Sequence, residues 1–403
     1  MLDRRGFLVI GAAVSALPRF ARAEAVKPLK IGIMNDMSGP YADHQGIGSV
    51  LCAQMAADDF AAKAGVPVDI VFADHQNRSD IGLNIARRWY DNEGIDVILD
   101  VPNSAVALAV SGLTREKNKV LIGSGAGSSV LTGEQCSPNF IHWTYDTWSL
   151  GHSLGRALTL EGGKTWFFIT ADYAFGKDLE KNTAEAVEAA GGKVLGAVRH
   201  PINTSDFSSY LLQAQASGAD VVGLANAGDD TSNCLKQATE FGLGNKQRLA
   251  GLILNVTNIP AIGIKAIKNV KIVVSFYWDM NDGTRAFARR YQAAHPRKLM
   301  PNDQQAGNYS AVQHLIKAMA QIKTAADGKL LVDTMKAIPT DDVIFGKGSI
   351  REDGRKLHPT YLLSAKTPEE STGEWDCFKP VKTIPIEEAW RPLSEGHCPF
   401  VKG

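Results

Sequence analysis

Short runs of apolar and β-branched residues alternate along the chain with longer segments of helical periodicity. The first series predicts strands over 29–34, 68–72, 95–99 and 120–123, and helices over 46–64, 81–90 and 103–117. Strands that alternate with helices are joined by right-handed crossovers and form a parallel sheet. The pattern from residue 29 to residue 123 therefore predicts one doubly wound α/β unit.

A second series of the same kind begins at residue 166. Its predicted strands are 166–169, 194–198, 221–224 and 252–254, with helices between them. The part of the chain after residue 23 is also longer than a typical single core, which favours two lobes. The predicted fold class is therefore α/β, with two doubly wound parallel-sheet lobes joined by a hinge.

Three segments are predicted to cross between the lobes. The aromatic and polar stretch 140–148 has no clear period and is interpreted as the first crossing, the alternative being an ordinary buried strand and loop. Two more are expected near 275–278 and 346–351, because further predicted helices must pack after the second sheet is complete. The predicted limits are 24–145 with 277–350 for lobe 1, 146–276 with 351–390 for lobe 2, and 391–403 for a C-terminal tail.

The N-terminal residues have the pattern of an export signal. Arg4 and Arg5 are followed by the apolar stretch 9–17 and by Ala21-Arg22-Ala23, a small-x-small cleavage site. The paired arginines resemble the twin-arginine export motif. The alternative is a membrane anchor, but the apolar stretch is shorter than the ~18 residues that a span needs. Residues 1–23 are therefore predicted to be a signal peptide, and the mature chain, without a membrane span, is expected in the periplasm.

Composition and motifs argue against several classes of function. Lys plus Arg balance Asp plus Glu at 43 each, with no basic block, so nucleic acid and anionic lipid are not expected partners. Segment 162–165 ends like a phosphate-binding loop, but Leu158 stands where the first glycine belongs and a strand follows instead of a helix. Segment 123–127 lacks the dinucleotide-binding spacing. The nine histidines show no metal-ligand spacing and no nucleophile motif is present, so no catalytic residue, metal or cofactor is predicted.

The five cysteines contain no C-x-x-C pair, which argues against zinc and against a redox motif. One disulfide is predicted, since an oxidising compartment permits it. Cys136 and Cys398 are the favoured pair, because both lie beside prolines in loop-like segments, and Cys377 with Cys398 is the alternative. Cys52 and Cys234 are interpreted as buried free thiols.

Four segments together carry a resemblance to a known family. They are 29–33, 36–41 (Asp-Met-Ser-Gly-Pro-Tyr), 172–176 (Asp-Tyr-Ala-Phe-Gly) and 203–208 (Asn-Thr-Ser-Asp-Phe-Ser). With the export signal, they resemble the leucine/isoleucine/valine-binding family of periplasmic receptors, over essentially the whole mature chain. The resemblance implies two lobes joined by three crossovers, a ligand cleft between them, and an ATP-binding-cassette (ABC) permease as the recipient.

The predicted function is that of an exported, monomeric solute-binding protein. It would capture a small organic ligand (an amino acid, an aromatic or other carboxylate, or an amide) and deliver it to the permease subunits of an ABC importer. The alternative is an exported amidase-like hydrolase on the same scaffold, which would need a base aligned with a nucleophile in the cleft. A third interpretation, the sensing lobe of a regulator or receptor, is disfavoured because no DNA-binding, kinase or membrane segment accompanies it.

Small and polar residues after two strands of lobe 1 are the first candidates for ligand contact. The loop after 120–123 offers backbone N–H groups and a hydroxyl at the sheet edge where α/β proteins bind ligands, through Gly125, Ala126, Gly127 and Ser128. The resemblance implies that this loop holds a ligand carboxylate together with the preceding strand-end loop, where Asn103 and Ser104 are the matching residues. The alternative for both loops is a tight turn and a helix N-cap.

Aromatic residues in the strand-end loops are the second set of candidates. Apolar walls are expected in a small-molecule cleft, and the candidates for them are Tyr41, His44, Tyr173, Phe175, Tyr277 and Trp278, although each ring could serve packing alone. Asn226 is included in the predicted set. Asp146 approximately matches a family position that can meet a ligand ammonium. The loop at 252–255, however, lacks the acidic group that amino-acid receptors of the family can carry there, which argues against α-amino-acid specificity.

Overall fold

The computed structural model describes residues 27–401. The predicted signal peptide and its twin-arginine motif lie outside the described residues. Within this range no helix is both long enough and apolar enough to cross a membrane.

The first sheet is parallel and has five strands. Its strands are β1 (Leu29–Asn35), β2 (Val68–Asp74), β3 (Val97–Asp100), β4 (Val120–Gly123) and β5 (Phe140–His142). They lie in the order β2-β1-β3-β4-β5. The inner strands are almost completely buried, as their near-continuous apolar sequences require, whereas the edge strand β2 exposes several side chains.

Helices cover both faces of this sheet. They are α1 (Gly46–Ala64), α2 (Ser79–Arg88), α3 (Ser104–Glu116) and, from later in the chain, α9 (Asp282–Ala294), α10 (Asp303–Ile322) and α11 (Gly328–Ala337). One apolar core lies between the sheet and α1, α10 and α11, and another lies under α2 and α3. The late helices α9, α10 and α11 therefore pack on the first sheet, although they follow the second sheet in the sequence.

The second sheet is parallel and has four strands. Its strands are β6 (Thr165–Ala171), β7 (Lys193–His200), β8 (Val221–Ala225) and β9 (Arg248–Gly251), in the order β7-β6-β8-β9. Its helices are α4 (Thr147–Leu160), α5 (Ala174–Ala189), α6 (Ser208–Ser217), α7 (Gly228–Glu240) and the short α8 (Ile259–Ile262). The predicted strand over 252–254 is wrong in position. Those residues are apolar because they are buried, but the backbone that pairs with β8 is 248–251.

Two small antiparallel sheets follow, which the sequence pattern did not predict. One contains β10 (Lys271–Val274), β14 (Thr360–Ala365) and β15 (Phe378–Ile384), and the other contains β11 (Thr340–Asp342), β12 (Gly346–Ile350) and β13 (Lys356–Leu357). The short helix α12 (Ile386–Ala389) comes last. Strands β10, β14 and β15 share the apolar cores of the second lobe. The predicted two-lobed fold class is thus confirmed, while the numerical limits of the lobes stay a prediction.

The C-terminal segment returns to the first lobe. Cys398 forms a disulfide with Cys136, the pair that the sequence favoured, with the two Cα atoms 5.6 Å apart. Cys52, Cys234 and Cys377 are buried free thiols. Just before this crosslink, the guanidinium of Arg391 donates to the carbonyl oxygen of Ser129.

We expect the disulfide to make a large contribution to stability, because it closes a loop across 262 residues of sequence. Replacing Cys136 and Cys398 together by serine should lower the free energy of unfolding by about 2 to 5 kcal/mol, the range typical for the removal of a native disulfide. Calorimetric melting with and without reductant measures the effect. Reductant should lower the melting temperature of the wild type and leave that of the double variant unchanged. A wild type that melts identically in both conditions would contradict the prediction.

Candidate ligand-binding site

A small cavity lies where the strand ends of the two lobes face each other. Its lining residues are Tyr41, His44, Gln45, Pro102, Gly125, Tyr145, Tyr173, Phe175, Ala227, Ile253 and Gln304. Most of them lie in the segments that follow parallel strands: β1, β3, β4 and β5 in the first lobe, and β6, β8 and β9 in the second. The carboxyl ends of parallel strands are where open α/β sheets bind ligands, so the topology itself puts the cavity here.

Direct contacts join the two lobes around this cavity. The hydroxyl oxygens of Tyr41 and Tyr173 are 2.8 Å apart. The backbone N–H of Asp229 donates to the carbonyl oxygen of Pro40 at 3.0 Å. Glycine is required at position 228, because a Cβ there would lie 2.2 Å from the same carbonyl oxygen and the backbone φ is +63°. The structure therefore shows the lobes closed upon each other.

His44 makes a third contact across the cleft, and its neighbours fix its protonation. Its Nε2 lies 2.9 Å from Oδ1 of Asn258. The amide nitrogen of Asn258 donates to the carbonyl oxygen of Gly228 and to the hydroxyl of Ser232, so its Oδ1 is the acceptor and His44 Nε2 carries the hydrogen. Burial lowers the pKa of His44 to about 4. His44 is therefore a neutral donor at neutral pH.

The loop 125–128 contributes less to the cavity than the resemblance implied. Gly125 lines it, but Ser128 Oγ donates to the carboxylate of Asp178 at 2.9 Å, and the neighbouring Ser129 N–H donates to the same oxygen at 2.8 Å. Asp178 belongs to α5 of the second lobe. A carboxylate of the protein itself thus takes the Ser128 hydroxyl, one of the donors expected for a ligand carboxylate.

Ala126 and Gly127 shape the site without lining it. The carbonyl oxygen of Ala126 lies 2.6 Å from Nε2 of His142. A Cβ at Gly127 would lie 2.7 Å from the rings of both Phe175 and Tyr145, so only glycine allows those two rings to pack here.

Asn103 acts as a helix N-cap, the alternative given for this loop, and Ser104 binds the neighbouring strand-end loop. Oδ1 of Asn103 accepts hydrogen bonds from the backbone of Ala105 and Val106, which caps α3. Ser104 Oγ accepts from the backbone N–H of Ser128 at 3.1 Å. Both side chains hold the loops behind the cavity and lie outside its lining.

Four further candidates are also placed outside the lining. Asp146 caps α4 and faces the buried guanidinium of Arg355 at 3.4 Å, so this acid already has a cation as its partner. The remaining three find partners inside the second lobe: Asn226 with Thr231 and His200, and Tyr277 and Trp278 with the carbonyl oxygen of Trp375.

Sequence reasoning thus identified Tyr41, His44, Gly125, Tyr173 and Phe175 among the lining residues. It missed Gln45, Pro102, Tyr145, Ala227, Ile253 and Gln304. Tyr145 lies in the predicted crossing 140–148, and Pro102 directly precedes the candidates Asn103 and Ser104. Their positions next to strand ends were the signal that could have identified them. No signal pointed to Gln304, which starts the late helix α10 and reaches the cavity only through tertiary packing.

Within the described residues, the lining of the cavity contains no lysine, arginine, aspartate or glutamate. Burial raises the pKa of the hydroxyls of Tyr41, Tyr145 and Tyr173, so all three are neutral hydrogen-bonding groups. Behind the wall, burial raises the pKa of the carboxyls of Asp100 and Asp303 to about 6. The cavity is therefore aromatic and polar but bears no formal charge of its own.

The fold and the cleft define a two-lobed binding protein, and the sequence comparisons agree. The model of the periplasmic binding protein family matches residues 28–373, so this chain belongs to that family. The Leu/Ile/Val-binding protein homolog 6 of Brucella abortus is 23% identical over 377 residues, which covers 89% of this chain and 94% of that protein. The predicted relationship to the leucine/isoleucine/valine-binding family is confirmed.

Solved structures show the same relationship. A periplasmic binding protein from Burkholderia mallei is 45% identical, with a TM-score of 0.90, and covers 93% of this chain and 99% of its own. A branched-chain amino acid ABC transporter periplasmic ligand-binding protein from Burkholderia xenovorans is 38% identical, with a TM-score of 0.81 and coverage of 92% and 99%. An ABC-transporter solute-binding protein from R. palustris in complex with benzoate is 20% identical, with a TM-score of 0.80 and coverage of 89% and 97%.

The protein is accordingly a solute-binding protein of an ABC importer. The family and these structures are binding proteins, which are not enzymes, and the hydrolase alternative has no support among them.

The buried His44 should make stability depend on pH. Its pKa is about 4 in the fold and near 6.5 when unfolded, so the unfolded chain binds more protons between these values and stability rises with pH through this window. Between pH 7 and pH 4, the unfolding free energy of the wild type should fall by roughly 3 kcal/mol more than that of His44→Gln. Urea unfolding at several pH values measures this. Replacing the exposed His397 by Asn is the control, and a His44→Gln profile that parallels the wild type would refute the assignment.

Proposed function

We propose that the cleft captures a small aromatic carboxylate. The observation that carries the proposal is the wall of four aromatic rings, Tyr41, Tyr145, Tyr173 and Phe175, around a cavity without a charged lining residue. Flat apolar walls with a few placed polar groups are typical of sites for small planar ligands. The benzoate complex of the R. palustris protein shows that this fold can hold such a ligand.

An α-amino acid fits this lining less well. Its ammonium group needs an acidic partner when it is removed from water. Asp146, the candidate for that role, lies outside the lining and faces Arg355, and within residues 27–401 no acidic residue lines the cavity. A ligand without an ammonium group avoids this cost.

A carboxylate finds favourable positive potential at the second lobe. Helix α5 begins at Ala174, between the two lining residues Tyr173 and Phe175. It has no side-chain cap and no acidic residue in its first turn. The N–H groups and the dipole at such a helix start favour an anion. The ligand carboxylate is thus assigned to the second lobe, and not to the loop 125–128 of the first.

The wider setting follows from the family. In this proposal residues 1–23 direct export by the twin-arginine route, the mature chain acts as a periplasmic monomer, and its closed form is recognised by the permease subunits of the importer. The lobe limits given by the sequence, 24–145 with 277–350 and 146–276 with 351–390, define the two bodies that close.

Binding of benzoate, 4-hydroxybenzoate and L-leucine to the mature protein tests the ligand class. The aromatic acids should bind more tightly than leucine in titration calorimetry. Phe175→Ala should weaken their binding by about 1 to 3 kcal/mol, because a buried ring is removed from the wall. The radius of gyration from small-angle scattering should fall when an aromatic acid is added to the wild type.

The matched control is Phe72→Ala, which truncates an exposed phenylalanine of the edge strand β2 and should bind like the wild type. Thermal melting of both variants shows whether they remain folded. Preference for leucine over every aromatic acid, or equal binding by Phe175→Ala and the wild type, would overturn the proposal.

A further inference from the structure

Two glutamines on the first-lobe side of the cavity have polar groups that the protein does not use. Gln45 directly precedes α1, and Gln304 lies in the first turn of α10. Both line the cavity and both are almost fully buried, with 2% and 1% of their surface exposed. The Nε2 of Gln45 donates to the Oε1 of Gln304. The two side-chain amides therefore form a pair inside the cleft.

The hydrogen bond between the two amides leaves one carbonyl oxygen and one NH₂ group without a partner. Oε1 of Gln45 is buried without a hydrogen-bond partner. Within residues 27–401, no hydrogen bond uses Nε2 of Gln304. If both side-chain amides are rotated by 180°, the roles exchange, but one carbonyl oxygen and one NH₂ group still remain without a partner. Buried polar groups are normally paired, so this surplus indicates that something else completes it.

The backbone around the pair is held in place before any ligand arrives. Nδ2 of Asn302 donates to the carbonyl oxygen of His44 at 2.9 Å, and its Oδ1 accepts from the backbone of Gln305. Nε2 of Gln305 donates to the carbonyl oxygen of Gln45 at 3.2 Å. The backbone segments that carry Gln45 and Gln304 are thus joined to each other by contacts that do not involve the cavity.

We propose that the Gln45–Gln304 amide pair is a specificity element, which selects ligands with a neutral group that both donates and accepts a hydrogen bond, such as a ring hydroxyl or a primary amide. A carboxylate at this end could only accept, and a methyl group could do neither, so each would leave part of the pair unsatisfied. The inference rests on the proposed function, and it adds a second polar end to the ligand, on the side away from α5.

Pairs of ligands of the same shape test this selectivity. In titration calorimetry, the wild type should bind 3- or 4-hydroxybenzoate about tenfold more tightly than the corresponding methylbenzoate, which corresponds to one or two neutral hydrogen bonds. Gln45→Met and Gln304→Met, which keep the length of the side chain but remove the amide, should reduce this preference to about twofold. Their affinity for the methylbenzoates should hardly change.

The control variant is Gln54→Met, on the exposed face of α1, which should keep the full preference. If Gln45→Met and Gln304→Met lose the same affinity for the hydroxybenzoates as for the methylbenzoates, the two glutamines have a merely structural role, and the inference is overturned. An unchanged preference in both variants would also overturn it.

An aliphatic pair, isobutyramide against isobutyrate, separates failure of this inference from failure of the proposed ligand class. If only the aliphatic amide binds, and Gln45→Met loses it selectively, the aromatic class is wrong and the amide pair stands. If aromatic acids bind without regard to the hydroxyl, the amide pair is wrong and the aromatic class stands. A wild type that binds no member of either series contradicts both.

Discussion

The buried guanidinium of Arg355 is the interaction on which the arrangement of the lobes depends. Only 1% of Arg355 is exposed. It donates to the carbonyl oxygens of Thr144 and Tyr145, faces the carboxylate of Asp146, and lies 4.3 Å from the ring centre of Trp390. Arg355 lies between β12 and β13. It therefore joins this segment to the residues that follow β5 and to the C-terminal part of the chain. A buried charge is tolerated only with such partners, so the three segments are held together.

The shape of the cavity depends on the contacts between Arg355 and Tyr145. Tyr145 is held by Arg355 through its carbonyl oxygen, and its hydroxyl donates to the carbonyl oxygen of Gly125 at 2.9 Å. Its ring packs against Gly127 beside Phe175 of the second lobe. One tyrosine thus connects the hinge, the strand-end loop of the first lobe and the aromatic wall.

The carboxylates near the cleft are engaged in holding the protein together. Asp178 binds the 128–129 loop across the lobes, and Asp146 pairs with Arg355. The lining groups that face a ligand are neutral, and among them the side-chain amides of Gln45 and Gln304 keep hydrogen-bonding groups that the protein does not use. Selectivity in such a site comes from matching hydrogen-bond donors and acceptors, because unpaired neutral groups are costly when buried.

The sequence by itself determined the two doubly wound lobes, because the alternation of strand and helix patterns follows from local backbone geometry and from burial on each face. It also determined that Tyr41, His44, Gly125, Tyr173 and Phe175 follow parallel strands, and such strand ends meet at one edge. Tertiary structure alone decided which polar groups remain for a ligand. Ser128 finds Asp178 at a separation of 50 residues, and Gln45 finds Gln304 at 259. Partners so distant are set by how the lobes and the late helices pack, and no local pattern records them.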